Sequence, residues 1–140
     1  MLGTIRTLDS AMQKDVHKKF THTIKKIAEA SRAEADIVIE TKALLTYNDP
    51  ALVKKMLPSL QTAIGHDNVK ERQWVTGAED FSFFGTKAPS FFFYLGGMSK
   101  GTDSNLAPPH HTPDFYIDEI GMKTGIQAFC QLVTDYLNMK

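Results

Sequence analysis

A chain of 140 residues is long enough for one domain with a real core, and 42% hydrophobic with 23% charged residues is ordinary for a globular protein. Sixteen basic residues balance sixteen acidic ones, so the formal net charge of zero gives no electrostatic case for nucleic acid or an anionic membrane as partner. The single cysteine, Cys130, excludes an intrachain disulfide, and no apolar run approaches the length of a transmembrane helix.

In chain order, residues 2–8 read as a short strand. From Asp9 and Ser10 the period changes: Met12, Val16, Phe20, Ile24, Ile27 and Ala28 recur at spacings of three and four, which predicts an amphipathic helix capped by Asp9 or Ser10. His17 and His22 fall off this stripe and are expected in solvent. Lys14, Lys18, Lys19, Lys25 and Lys26 stand among acidic neighbours and read as a solvated helix face, not as a binding patch. Residues 35–45 alternate, with Ile37, Ile39 and Thr41 set against Asp36, Val38 and Glu40, the pattern of a half-buried strand.

Asp49 and Pro50 then signal a second helix, with a carboxylate as cap and proline at the first position, where its missing amide costs nothing. This helix presents Leu52, Val53, Met56, Leu57, Leu60 and Ile64 and can end at Gly65; Pro58 within it predicts a kink or a break. Residues 69–75 read as an exposed strand, and residues 90–95 as a strand apolar on both faces and buried between layers. Residues 99–109 form a polar loop. The last helix is expected from Asp118, with Met122, Ile126, Phe129, Cys130, Val133, Tyr136 and Leu137 on its apolar stripe and Cys130 as a small buried hydrophobe. Strands alternating with helices place the chain in the α/β or α+β class.

Three short segments carry the candidate chemistry. Arg6, in Gly3-Thr4-Ile5-Arg6-Thr7, offers a guanidinium that forks onto a carboxylate through parallel hydrogen bonds; it reads equally as a surface arginine on an edge strand. In Gly77-Ala78-Glu79-Asp80-Phe81-Ser82, a glycine before a helix start lets backbone amides approach an anion, or simply makes a turn, with Asp80 as cap or orienting group. In Pro109-His110-His111-Thr112-Pro113-Asp114-Phe115, two imidazoles sit between prolines ahead of Asp118 and Glu119. Neutral imidazole is the commonest protein metal ligand, yet a catalytic zinc-type site needs three protein ligands and an open position. His17, His22 and His66 form no ligand pattern with this pair.

These segments occur in one order, with an apolar run ending in Leu95-Gly96-Gly97 between the second and third. Together they resemble the C-terminal part of the metal-dependent aminoacylase and amidohydrolase family, which includes hippurate hydrolase and indole-acetyl-amino-acid hydrolase. The resemblance implies a metallo-aminopeptidase-like architecture in which residues 1–46 are the C-terminal half of a small ferredoxin-like dimerisation domain and residues 47–140 the C-terminal part of the catalytic domain. It implies His111 as a metal ligand, with His110 secondary or incidental. Gly77 and Ala78 would form the wall that receives the substrate carboxylate, and Arg6 would pair with that carboxylate. The complete enzyme would use divalent zinc or manganese to cleave the amide of an N-acyl or N-aroyl amino acid.

The family's general base and remaining ligands lie upstream, and Glu79 does not match that base. This chain is therefore expected to be part of a longer enzyme, inactive alone and holding metal weakly. Of the small domain's sheet only the equivalents of the third and fourth strands are expected, at residues 2–8 and 36–42, without the strand that separates them. Unpaired edges invite another chain, so a homo-oligomer or a complementing N-terminal chain is the expected partner. A non-catalytic dimerisation or interaction module that keeps the family scaffold is the alternative. The first ten residues show no basic-then-apolar leader, which leaves the compartment undecided.

Overall fold

The computed structural model describes residues 1–139. They fall into two compact units, Met1–Asn48 with Gln73–Ser90, and Asp49–Arg72 with Phe91–Lys140.

The first unit is built on α1, Ser10–Ala30. Asp9 caps it as the sequence predicts: its carboxylate accepts from the Met12 amide at 2.6 Å. At the other end the Arg32 amide donates to Glu29 O (3.0 Å) and the Ala33 amide to Ala28 O (2.9 Å). This is the paired-bond C-terminal motif that needs a left-handed residue just past the helix, and Arg32 fills that position at φ 53°. On the stripe Val16, Ile24 and Ala28 are half-buried while Met12, Phe20 and Ile27 are exposed. The lysine face is solvated, with Lys19 paired to Asp15 and Lys26 to Glu29 on the helix surface. Of the two histidines expected in solvent, His22 is exposed and His17 half-buried.

In the second unit α2, Pro50–Ile64, packs on α3, Ile120–Asn138. The Asp49 carboxylate accepts from the Leu52 amide at 2.8 Å, and Gly65, at φ 87°, ends α2. Helix α2 runs unbroken through Pro58. The last helix begins two residues later than expected, and Asp118 serves its first turn from outside by accepting from the Ile120 amide at 3.0 Å.

The buried side of α3 is not the stripe expected from its periodicity. Gly125 and Ala128 are buried, Gly125 beneath the side chain of Leu95, and α2 contributes buried Met56, Ser59 and Leu60, whereas Met122, Ile126, Phe129, Val133, Tyr136 and Leu137 are all more than half exposed. Cys130 is exposed as well, contrary to its reading as a buried hydrophobe. The face of α3 with little apolar bulk is thus the better covered one, since a residue as small as Gly125 lets the Leu95 side chain seat against the helix.

The α/β expectation is corrected by the structure: no residue among those described forms a strand, and the regular structure is helical. The expected strands at 2–8, 35–45, 69–75 and 90–95 have no ladder. Traces of their pattern persist. Ala35, Ile37 and Ile39 are half-buried while Asp36, Val38 and Glu40 are exposed. Ring pairs Phe91–Phe93 (5.8 Å) and Phe92–Tyr94 (5.2 Å) lie two residues apart, as on extended backbone, and Phe93 meets Phe129 of α3 at 5.3 Å. Burial between layers is not reached there, because Tyr94 and Leu95 are nearly half exposed. A strand exists only when its amides and carbonyls meet a neighbour about 4.8 Å away, and alternation alone supplies no neighbour.

The accessible surface is 11874 Å². A folded monomer of this mass exposes about 7,200 Å², and two separate bodies of half the mass together about 8,700 Å². Large apolar side chains contribute to the accessible surface: Leu2, Val38, Ile120 and Leu137 are each more than three-quarters exposed.

Candidate functional site

Arg6 lies in the first unit, where its Nη1 donates to the carbonyl of Thr76 at 2.9 Å. The guanidinium thus reaches the residue directly before Gly77, although the two segments are far apart in sequence. Arg6, Gly77 and Ala78 are all exposed. A guanidinium carries five N–H donors, so one carbonyl bond leaves others for a carboxylate.

The turn after Ala78 is held from beneath by a residue that sequence reasoning passed over. Ser82 is buried; its hydroxyl donates to Glu79 O (2.7 Å) and accepts from the Leu44 amide (3.2 Å). This pair of bonds fixes Glu79 and ties the turn to the segment that leaves the alternating 35–40 stretch. The signal for it was a serine three residues after Glu79, the spacing of a local side-chain-to-backbone bond. Asp80 does not cap: the following turn, Asp80–Thr86, is a short 3₁₀-helix that starts at Asp80 itself, with Glu79 before it and no side-chain cap bond.

His111 lies in the second unit and is exposed, in the left-handed region at φ 65°. Histidine tolerates this region better than most residues, and left-handed non-glycine residues concentrate at functional sites. Its surroundings explain how the conformation is kept. The Thr112 hydroxyl donates to Pro109 O at 2.8 Å, the Phe115 amide donates to Thr112 O at 3.1 Å, and the His110 ring packs on Phe115 at 4.8 Å. His110 is thereby engaged with an aromatic ring, 6.5 Å from the ring of His111.

Among the described residues no group of three or more His, Cys, Asp or Glu side chains gathers to hold a metal ion. One histidine, with a second turned to a phenylalanine, does not meet the three-ligand requirement of a catalytic centre. Among the described residues, the donors present do not by themselves complete such a centre.

Residues 7–135 match the family profile described as Peptidase family M20/M25/M40. The chain belongs to that family. It is 30% identical over 142 aligned residues to thermostable carboxypeptidase 2 of Saccharolobus solfataricus, covering 99% of this chain and 34% of that protein. It is similar to IAA-amino acid hydrolase ILR1-like 4 of Arabidopsis thaliana (27% identity, 96% of this chain, 31% of that protein). It is also similar to N-acetyldiaminopimelate deacetylase of Limosilactobacillus fermentum (28% identity, 94% and 33%). The chain spans about a third of the length of these curated relatives. No solved structure matches it. This M20/M25/M40 chain has Arg6, Gly77 and Ala78 within one unit and His111 in the other. Among its described residues no helix is long and apolar enough to cross a membrane.

Proposed function

We propose that the chain is part of a metal-dependent amidohydrolase that cleaves the amide bond of N-acyl or N-aroyl amino acids. Residues 1–46 belong to its small dimerisation domain and residues 47–140 to its catalytic domain. Arg6 binds the amino-acid carboxylate, the Gly77-Ala78 backbone forms the adjoining wall, and His111 is one metal ligand. The observation that carries this reading is the Arg6 guanidinium bonded to Thr76 O, beside Gly77. A forked cation next to a glycine-opened turn suits a carboxylate, which can take two parallel hydrogen bonds from it.

Metal would be zinc or manganese, held mainly by residues outside this chain, and the general base would likewise come from outside it. What these residues contribute is binding and orientation of the substrate, which set the reacting carbonyl in place. The chemistry is tested by assaying hippurate and other N-acyl amino acids with the chain alone and with the chain combined with the N-terminal two thirds of a relative. The chain alone should give no turnover. The combination should turn over, lose activity in His111→Ala and gain KM in Arg6→Ala. Turnover by the chain alone that disappears in His111→Ala overturns the reading.

One feature favours the alternative, a non-catalytic interaction module: the outward apolar stripe of α3, from Met122 to Leu137, is ready-made contact surface. The same combination assay separates the two, since a module of this kind associates without restoring turnover.

A further inference from the structure

The loop at residues 98–117, which carries both adjacent histidines, leaves and returns at one place. The Asp118 amide donates to Gly97 O at 2.7 Å, joining the residue after the loop to the residue before it. The Ser99 hydroxyl donates to Asp118 Oδ2 at 2.6 Å, and Asp118 Oδ1 accepts from the Ile120 amide at 3.0 Å. One half-buried carboxylate thus bonds the outgoing limb of the loop and the first turn of α3.

The backbone around it admits no slack. A Cβ on Gly97 would meet Ile117 Cγ2 at 3.0 Å, and one on Gly121 would meet Gly96 O at 3.0 Å. Within the loop the bonds are local: Thr102 to Ser99, Leu106 to Asp103, Thr112 to Pro109 and Phe115 to Thr112. Such bonds shape individual turns and do not hold the loop to α3. That task falls to the base, where closing the ends opposes the conformational entropy of the whole loop.

We propose that Asp118 is a positioning residue for His111: its bonds to Ser99 and to the start of α3 close the loop and fix where the histidine is presented. The functional weight of this role rests on the reading of His111 as a metal ligand, but the latch itself does not. Its test therefore contains no metal and no substrate.

Histidine ring signals and backbone amide exchange are recorded by NMR on the full chain for wild type, Ser99→Ala, Ser99→Thr and Asp118→Ala. Both alanine variants should move the His110 and His111 ring signals and speed amide exchange across the loop by about threefold or more, the effect of losing one modest hydrogen bond. Ser99→Thr keeps the hydroxyl and should retain wild-type spectra. The rings of His17 and His22, in the other unit, should stay in place, and circular dichroism should report unchanged helix. Wild-type His111 signals and loop exchange in either alanine variant overturn the proposal. So does an equal disturbance of His17 and His22, which would mean a general loosening. Failure of metal to bind at His111 would instead count against the functional reading and leave the latch standing.

Discussion

On α3, Gln131 Nε2 donates to Asp135 Oδ1 at 2.9 Å, one turn along the helix, and buried Ser59 of α2 also favours the charged form of this carboxyl. Part of what stabilises the Asp135 carboxylate thus comes from across the α2–α3 contact, so its charge and the packing of the two helices depend on one another.

That dependence has a sign. The Ser59 bond first, and the Gln131 bond second, hold the Asp135 carboxyl below its ordinary value of 3.8. Ser99 and then the Ile120 amide do the same for Asp118. A carboxylate whose pKa is depressed in the folded state contributes stability that is present above the ordinary value and is lost as pH falls through the folded one. Carboxyl carbon NMR titration should show Asp118 and Asp135 ionising below the ordinary aspartate value, with α2–α3 contacts and the loop base loosening only at pH below about 4. Titration of both at or above the ordinary value contradicts this.

The core of the second unit is small enough for one residue to dominate it. Leu60 is 4% exposed against α3, so Leu60→Ala should cost about 2–5 kcal/mol in urea unfolding followed by helical circular dichroism. Ile126 is 65% exposed, and Ile126→Ala should stay within about 0.5 kcal/mol. Equal effects would mean that the apolar stripe of α3 is covered.

A gain is expected at the end of α1. Arg32 occupies the left-handed position of the C-terminal motif at φ 53°, where a Cβ is unfavourable. Arg32→Gly should stabilise the first unit by about 0.5–1 kcal/mol in the same unfolding measurement. A loss would show that the arginine side chain contributes more than its backbone costs.

Association should follow from what is left uncovered. Leu2 and Val38 lie on segments with no ladder, and Ile126, Val133 and Leu137 are exposed on α3. Unpaired edges and apolar patches recruit further chains. Light scattering coupled to size exclusion should give a dimer or larger species; a monodisperse monomer at high concentration would show that the chain covers these surfaces itself.

The helices were legible because their signals are local. Asp9, Asp49 and Gly65 act through bonds to residues within four positions and Pro50 through its fixed backbone angle, and each stands where its chemistry predicts. The expected strands rested on alternation alone, since Ile37 and Ile39 can mark a face but cannot provide a partner, and none formed among the described residues. The stripe of α3 misled for a related reason: periodicity identifies an apolar face, while the buried positions are the small residues Gly125 and Ala128, of which Gly125 seats the side chain of Leu95. At the candidate site, Arg6 and the Gly77-Ala78 turn stood out by residue type, but their proximity is a long-range contact that spacing cannot reveal. Ser99 and Asp118 were missed as a pair for the same reason.

The most direct test of the account is calorimetric titration of the chain with zinc and with manganese. If His111 is one ligand of a centre whose other ligands lie elsewhere, binding should be weak, without defined stoichiometry, and reduced further in His111→Ala. Two sites of about micromolar or better affinity, some −8 kcal/mol each, would contradict it, because the chain would then hold a complete metal centre of its own.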